Sequence, residues 1–418
     1  MLTIIVSAML AVADSPPPLI LISIDGLKPD YVIEADKYNL QIPRLRKMRE
    51  EGAYASGVKG VIPTVTFPSH TTIVTGVSPK KHGILFNHPF DSFNQNNGAW
   101  YWYAEDINAP TLWDVAADAG LIVSNVEWPV TVGANIDINI PQYWGCEEKM
   151  FRSICSPNLI IEMERTLGSY PYHDHFTIDG DAERTKFNEY ILINKKPDFH
   201  LCYFSGLDTQ QHITGPYSQE AFDVLEKIDE LVGRITDAAN RYSDGRATIC
   251  IVSDHGFAPI NSIVSVNAAL KEAGLMQDAQ AWSSGGSTTI ILQTKNDEIY
   301  ERVKTVLGRL QINDECGFDR IIEDKDNYQF LVGLRSGYCF NDDFNRPVAI
   351  KYEQWSGGGH GYLPDMVEMD ASFFITGNEI PANTCLGRID MRDIAPTLAR
   401  LLNITLPLAE GRNLLQKE

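Results

Sequence analysis

Five stretches of the chain are apolar almost without interruption: PLILISIDG (residues 18–26), GLIVSNVEWP (120–129), DFHLCYFSGLD (198–208), RATICIVSDHG (246–256) and DASFFITG (370–377). Continuous apolar runs of this length predict parallel strands buried on both faces. Between them the period changes. Ala221–Tyr242 places apolar residues at three- and four-residue spacing and predicts an amphipathic helix. Asp393–Leu402 predicts another, with an acidic start and Pro396 early enough to be tolerated. Strands alternating with helices predict a doubly wound α/β domain with a mostly parallel sheet. The segment 266–351 breaks this rhythm with SGGSTTIILQT, NDEIYERVKTVLGRL and YQFLVGL. It reads as an inserted α+β cap subdomain, so that 14–265 and 352–418 form the catalytic core.

The first residues, MLTIIVSAMLAVADSPPP, hold an apolar run too short to span a bilayer, with a small-residue site at Ala11-Val12-Ala13. Residues 1–13 therefore read as a secretory signal, and the chain as secreted or periplasmic. The competing reading is a buried first strand, because no Lys or Arg precedes the run. No later run predicts a membrane helix, and NLLQKE is no lipid-anchor tail. Seven cysteines in 418 residues do not make a disulfide scaffold. Cys202 and Cys250 read as buried thiols. In an exported protein Cys146/Cys155 and Cys316/Cys339 are candidate pairs; otherwise all seven stay reduced. Asn403-Ile-Thr405 is a glycosylation sequon.

A net charge of −20 argues against a nucleic-acid duplex as partner, since clustered Lys and Arg are missing. A small phosphorylated substrate would be drawn by bound metal ions, which reverse the local field. The residues for such a site are present. Asp25, Asp208 and Asp254 each follow an apolar run, where an α/β sheet gathers its ligands. His212 lies four residues after Asp208, on the same face of a helix. His255 adjoins Asp254, and His360 sits in the glycine loop GGGHGY. Singly, each has an ordinary explanation as a turn or cap residue. Jointly, three carboxylates and three imidazoles suffice for two three-ligand sites with open positions. Thr66, in VTFPSH, precedes a plausible first helical turn. It is either an N-cap or a nucleophile, and the surrounding metal set favours the second.

The motifs SIDGLKPDYV, PTVTFPSHTTIVTGVSPKKHGI, GLDTQQHITGP, SDHGF, GGGHGY and DIAPTLARLLNI together resemble the nucleotide pyrophosphatase/phosphodiesterase family of the alkaline phosphatase superfamily. The resemblance runs from about Leu19 to the end of the chain. It implies an alkaline-phosphatase-like fold, two zinc ions and a covalent phosphothreonine. Asp208, His212 and His360 would hold one zinc. Asp25, Asp254 and His255 would hold the other, beside Thr66. Manganese or iron also suits this ligand type. Asn87 matches the asparagine that hydrogen-bonds a phosphoryl oxygen, and Phe67 and Tyr203 the aromatic substrate contacts. Ser69 stands where the family commonly has asparagine, a change expected to matter little to the chemistry. The loop following Asn87 departs further, which leaves substrate choice open.

The expected function is hydrolysis of phosphodiester or pyrophosphate bonds, with nucleotides as substrates. Choline or glycerol phosphodiesters, phosphonates or phosphomonoesters are the alternative for the same machinery. A silent binding module would typically have lost a ligand or the nucleophile, and none is lost. Between Thr66 and Asn87 no arginine occurs to match the charge of a monoester.

Overall fold

The computed structural model describes residues 16–91, 99–145, 147–353 and 357–415. Residues 1–13, read above as a secretory signal, and Cys146 lie outside them. The main sheet contains, in chain order, β1 (Leu19–Ile24), β2 (Ala53–Tyr54), β3 (Val123–Val126), β4 (Ile138–Ile140), β5 (Phe199–Phe204), β6 (Thr248–Val252), β7 (Phe373–Thr376) and β8 (Thr384–Cys385). In space they run β8–β2–β7–β6–β1–β5–β3–β4. The pairs β1–β5, β1–β6, β3–β5 and β3–β4 are parallel.

Why the central strands carry no polar alternation is visible in their packing. Leu19 and Leu21 of β1 enter one hydrophobic cluster with Trp113, Trp128 and Leu398. Ile20, Ile22 and Ile24 enter another on the opposite face, with Leu225, Ile228 and Val232. Both faces are covered, so both sets of alternating positions must be apolar. One expectation needs correcting. Phe373–Thr376 is a strand, but it pairs antiparallel with both β6 and β2. The segment leading into it holds only a short 3₁₀ turn, Val367–Met369. A parallel return requires a longer crossover, usually helical.

Four helices frame the ends of the central strands or cover the sheet: α1 (Thr66–Thr75), α2 (Ile178–Lys195), α3 (Gly206–Thr214) and α4 (Gln219–Ser243). Residues 266–351 hold a four-stranded antiparallel sheet, in the order 318–324, 329–334, 287–292 and 279–283. The helix Asp297–Ile312 packs on it through Tyr300, Val303 and Leu307, with Phe330 and Val332 opposite. A further strand, Ala258–Val264, leaves the core just after His255. It pairs with Gly337–Phe340, Ala349–Lys351 and Gly357–Gly359. That last strand delivers His360. Cys202 and Cys250 are buried free thiols. Cys316 and Cys339 are also free, so the pairing considered for them is not formed. Asn403 is exposed. Among the described residues no helix is long and apolar enough to cross a membrane.

Candidate metal centre and active site

Each chemical residue is delivered by the end of a core element. Asp25 follows β1 directly, and Asp254 and His255 follow β6. Asp208 and His212 lie one turn apart on α3, and Thr66 is the first residue of α1. The turn after Asp25 depends on Gly26, whose φ is +68°; a Cβ there would lie 2.9 Å from the Phe257 ring. The backbone of Gly26 donates to Asp254 Oδ1 at 3.2 Å. Beyond His360, Gly361 has φ +81°, and a Cβ would meet the Ser284 carbonyl at 1.5 Å. The glycines of GGGHGY thus allow two chain segments to touch behind the histidine.

The structure brings all six predicted ligands together. Asp25, Asp254 and His255 form one group, with donor atoms within 4.8 Å of one another. His255 Nε2 stands 3.0 Å from Asp254 Oδ2 and 3.3 Å from Asp25 Oδ1. Asp208 and His360 form a second group, in which His255 is the third member within the same span. His212 Nε2 lies 3.4 Å from Asp208 Oδ1, and His360 Nε2 lies 3.7 Å from that same oxygen. The His255 and His360 rings stack at 3.6 Å, so the two groups are contiguous.

Two features test whether cations suit this cluster. First, every histidine is held in one tautomer. The Nδ1 of His212, His255 and His360 lies 3.0, 3.1 and 3.2 Å from the carbonyls of Gly358, Gly256 and Thr64. A carbonyl only accepts, so Nδ1 carries the hydrogen and the neutral ring keeps its Nε2 lone pair. Second, Asp25 Oδ1, Asp208 Oδ1, Asp254 Oδ2 and His255 Nε2 are buried without a hydrogen-bond partner among the described residues. Orphaned buried polar atoms are costly, and four converging here fit a cation site.

Electrostatics agree. Burial, and then repulsion by Asp254 and Asp208, push the Asp25 carboxyl well above its usual range. Burial would also raise Asp254 and Asp208, but neighbouring imidazoles hold both low: His255 and His70 for the first, His212 and His360 for the second. Burial and the adjacent His255 bring His360 down to about 3. Burial lowers the His212 ring, and the Asp208 carboxylate more than reverses this.

The remaining predicted residues receive distinct places. Asn87 accepts the Phe67 backbone N–H through Oδ1 at 2.9 Å. That bond fixes the amide orientation and leaves Nδ2 as the donor on its other side. Phe67 and Tyr203 present no open face for stacking. Phe67 is fully buried among Trp100, Trp102 and Trp144. Tyr203 is buried too, and its hydroxyl donates to Asp25 Oδ2. Sequence reading passed over His70, four residues after Thr66. Its Nδ1 donates to the Thr66 carbonyl at 2.8 Å, and its Nε2 accepts from Ser23 Oγ at 2.8 Å. The signal was available, since position i+4 of a helix returns to the first turn. Ser69 Oγ is buried without a hydrogen-bond partner among the described residues.

A cleft of about 640 Å³ opens beside the centre, within the range of small-ligand sites. Asn87, His212 and His360 line it on the core side, and Trp282, Ser283 and Asp342 on the other.

Residues 19–331 match the family model of type I phosphodiesterases / nucleotide pyrophosphatases. The chain is 24% identical to Bos taurus ectonucleotide pyrophosphatase/phosphodiesterase family member 3, over 93% of this chain and 42% of that protein. It is 26% identical to human family member 1, over 57% of this chain and 23% of that protein. The chain thus spans less than half the length of these curated relatives. Human ectonucleotide pyrophosphatase/phosphodiesterase 5 superposes with TM-score 0.69 at 19% identity, covering 95% of this chain and 98% of that one. The murine counterpart, solved as an inactive threonine-to-alanine variant in complex with AMP, gives TM-score 0.68, also at 19% identity, covering 96% and 99%.

Proposed function

We propose that this chain, which belongs to the type I phosphodiesterase / nucleotide pyrophosphatase family, hydrolyses phosphodiester or pyrophosphate bonds of nucleotide-type substrates, with Thr66 as nucleophile and two divalent cations, zinc, as cofactors. The observation that carries the reading is the convergence of four orphaned ligand atoms beside a helix that begins at Thr66. Asp25, Asp254 and His255 would hold one ion near Thr66, and Asp208, His212 and His360 the other. When bound, such ions lower the pKa of a hydroxyl and offset charge on phosphoryl oxygens.

The chain's own groups account for the rest. Thr66 Oγ1 attacks phosphorus, its proton passes to solvent, and the bond to the leaving oxygen breaks to give a phosphothreonine. Water then cleaves the phosphothreonine and restores the hydroxyl. Placement at the first residue of α1 exposes Thr66 to the positive end of the helix, which favours both an alkoxide and a phosphate oxygen. Asn87 Nδ2 donates to one phosphoryl oxygen. A neutral donor there suits a diester, which carries less charge than a monoester. His70 holds the Thr66 carbonyl and so steadies the first turn.

The AMP complex of the murine relative supports a nucleotide in the cleft. Trp282 and Asp342 at its far side would equally suit a cationic headgroup, which keeps choline phosphodiesters as the second reading. We place the protein outside the cytoplasm, as a secreted or periplasmic enzyme, and read 266–351 as a cap over the cleft. Comparing kcat/KM for a nucleoside p-nitrophenyl diester, p-nitrophenyl phosphocholine and p-nitrophenyl phosphate tests the function. The nucleoside diester should lead. A choline diester ahead by tenfold, about 1.4 kcal/mol, would establish the second reading. A monoester equal to both would overturn the class.

A further inference from the structure

A second buried charge cluster lies behind α3, the helix that carries Asp208 and His212. Asp181, in the first turn of α2, is fully buried. Its Oδ2 accepts the Gly206 N–H at 2.9 Å and its Oδ1 accepts the Ser205 N–H at 3.3 Å. Gly206 is the first residue of α3, so one carboxylate satisfies donors at the entrance to that helix from another part of the chain. The fit leaves no slack: a Cβ on Gly206 would lie 2.8 Å from Asp181 Oδ2. Asp181 is held in turn by Arg184, whose Nη2 donates to Oδ1 at 2.6 Å and to the His175 carbonyl at 3.1 Å. The hydroxyl of Ser205 donates to that same carbonyl. Glu127 completes the cluster, with one oxygen 3.6 Å from Arg184 Nε and the other accepting from Tyr170 at 2.7 Å.

We infer that Asp181 and Arg184 are positioning residues for the Asp208/His212/His360 group. They touch neither the cleft lining nor a ligand atom. They fix the start of α3, and Asp208 lies within its first turn. Helix placement sets where Asp208 and His212 project, and an ill-placed support for metal ligands typically costs tenfold to a hundredfold in affinity. This inference rests on the two-ion reading above and adds to it an unequal dependence of the two groups. Asp25 and Asp254 follow β1 and β6, which this cluster does not cap.

The test is zinc titration of the full chain against a chromogenic chelator, with melting temperature recorded in parallel. The Asp181→Asn variant should weaken one of two zinc equivalents about tenfold or more, leave the other unchanged, and regain turnover at high zinc. Glu127→Gln removes a charge from the same cluster without touching α3, and should destabilise without separating the two equivalents. Should Asp181→Asn fail to fold, Ser205→Ala breaks the neighbouring tie more gently and should move the same equivalent, by less. Two unchanged equivalents would overturn the inference while leaving the function intact. So would equal losses at both that track melting temperature in every variant. A wild-type protein that binds no zinc would overturn the two-ion reading, and this inference with it.

Discussion

Asp25, just beyond β1, and Asp181, in the first turn of α2, are both buried carboxylates, and their surroundings differ in one respect. Asp181 has Arg184 at 2.6 Å, and Arg184 also faces Glu127. Asp25 has Asp254 and Asp208 as charged neighbours and imidazoles in place of a guanidinium, with His360 among them brought down to about 3. In the first cluster burial still raises Asp181 against the pull of Arg184 and the Gly206 N–H, whereas Arg184 and His175 bring Glu127 down to about 2. In the second, burial and like charge push Asp25 up. A buried charge without a full counter-ion is destabilising, and in the second cluster only imidazoles offset Asp254 and Asp208, an arrangement that suits compensation by bound cations. One cluster is closed and structural. The other is open and short of positive charge.

The largest effect that sharpens this contrast separates charge from chemistry within the open cluster. Thr66→Ala leaves every carboxylate and imidazole in place, so metal content and fold should persist. Turnover should nevertheless fall by about a thousandfold or more, because the attacking oxygen is gone. Reaction at a chiral phosphorus should proceed with net retention in the wild type, as two displacements require. Net inversion would reduce Thr66 to a helix-start residue.

In the closed cluster the expected effect is on stability. Glu127 is depressed from 4.5 to about 2 in the folded state. Its contribution is therefore full above about pH 5 and is lost as pH falls toward 2, by linkage about 3 kcal/mol in all. Glu127→Gln should lower unfolding free energy at pH 7 by a similar amount. The gap between the two proteins should close in acid. A gap independent of pH would show that the pair with Arg184 is not what Glu127 contributes.

The smallest effect has the opposite sign. Asp25→Asn relieves repulsion by Asp254 and Asp208, so in chelator-treated protein it should raise stability by about 1 kcal/mol. With zinc present the order should reverse, because the wild type gains from two bound ions and the variant chiefly from the one at the Asp208/His212/His360 group. If the metal-free Asp25→Asn variant were less stable than the metal-free wild type, the open cluster would not carry excess charge.

The parts legible in the sequence were those set by local pattern. Five apolar runs marked five strands, and Ala221–Tyr242 lies within α4. Five ligands were marked by following an apolar run or sharing a helix face, His360 by its glycine loop, and their division into two groups by the family resemblance. Less was legible where long-range contact decides. The antiparallel direction of β7 depends on a return path that composition does not encode. Tyr203 reads as an aromatic surface, and only pairing of β5 with β1 brings its hydroxyl to Asp25. Phe67 is similar: three tryptophans distant in sequence close over it. Nothing in the local sequence around Asp181 announces that its carboxylate accepts the N–H groups at the start of α3.

The number of cations the open cluster holds separates a two-ion centre from a cluster of unpaired charge. Elemental analysis of fully loaded, active protein should find two divalent ions per chain, predominantly zinc. His360→Ala should lose the ion of the Asp208/His212 group first and retain the one at Asp25/Asp254/His255. One ion or none in the active wild-type protein would contradict a two-ion centre.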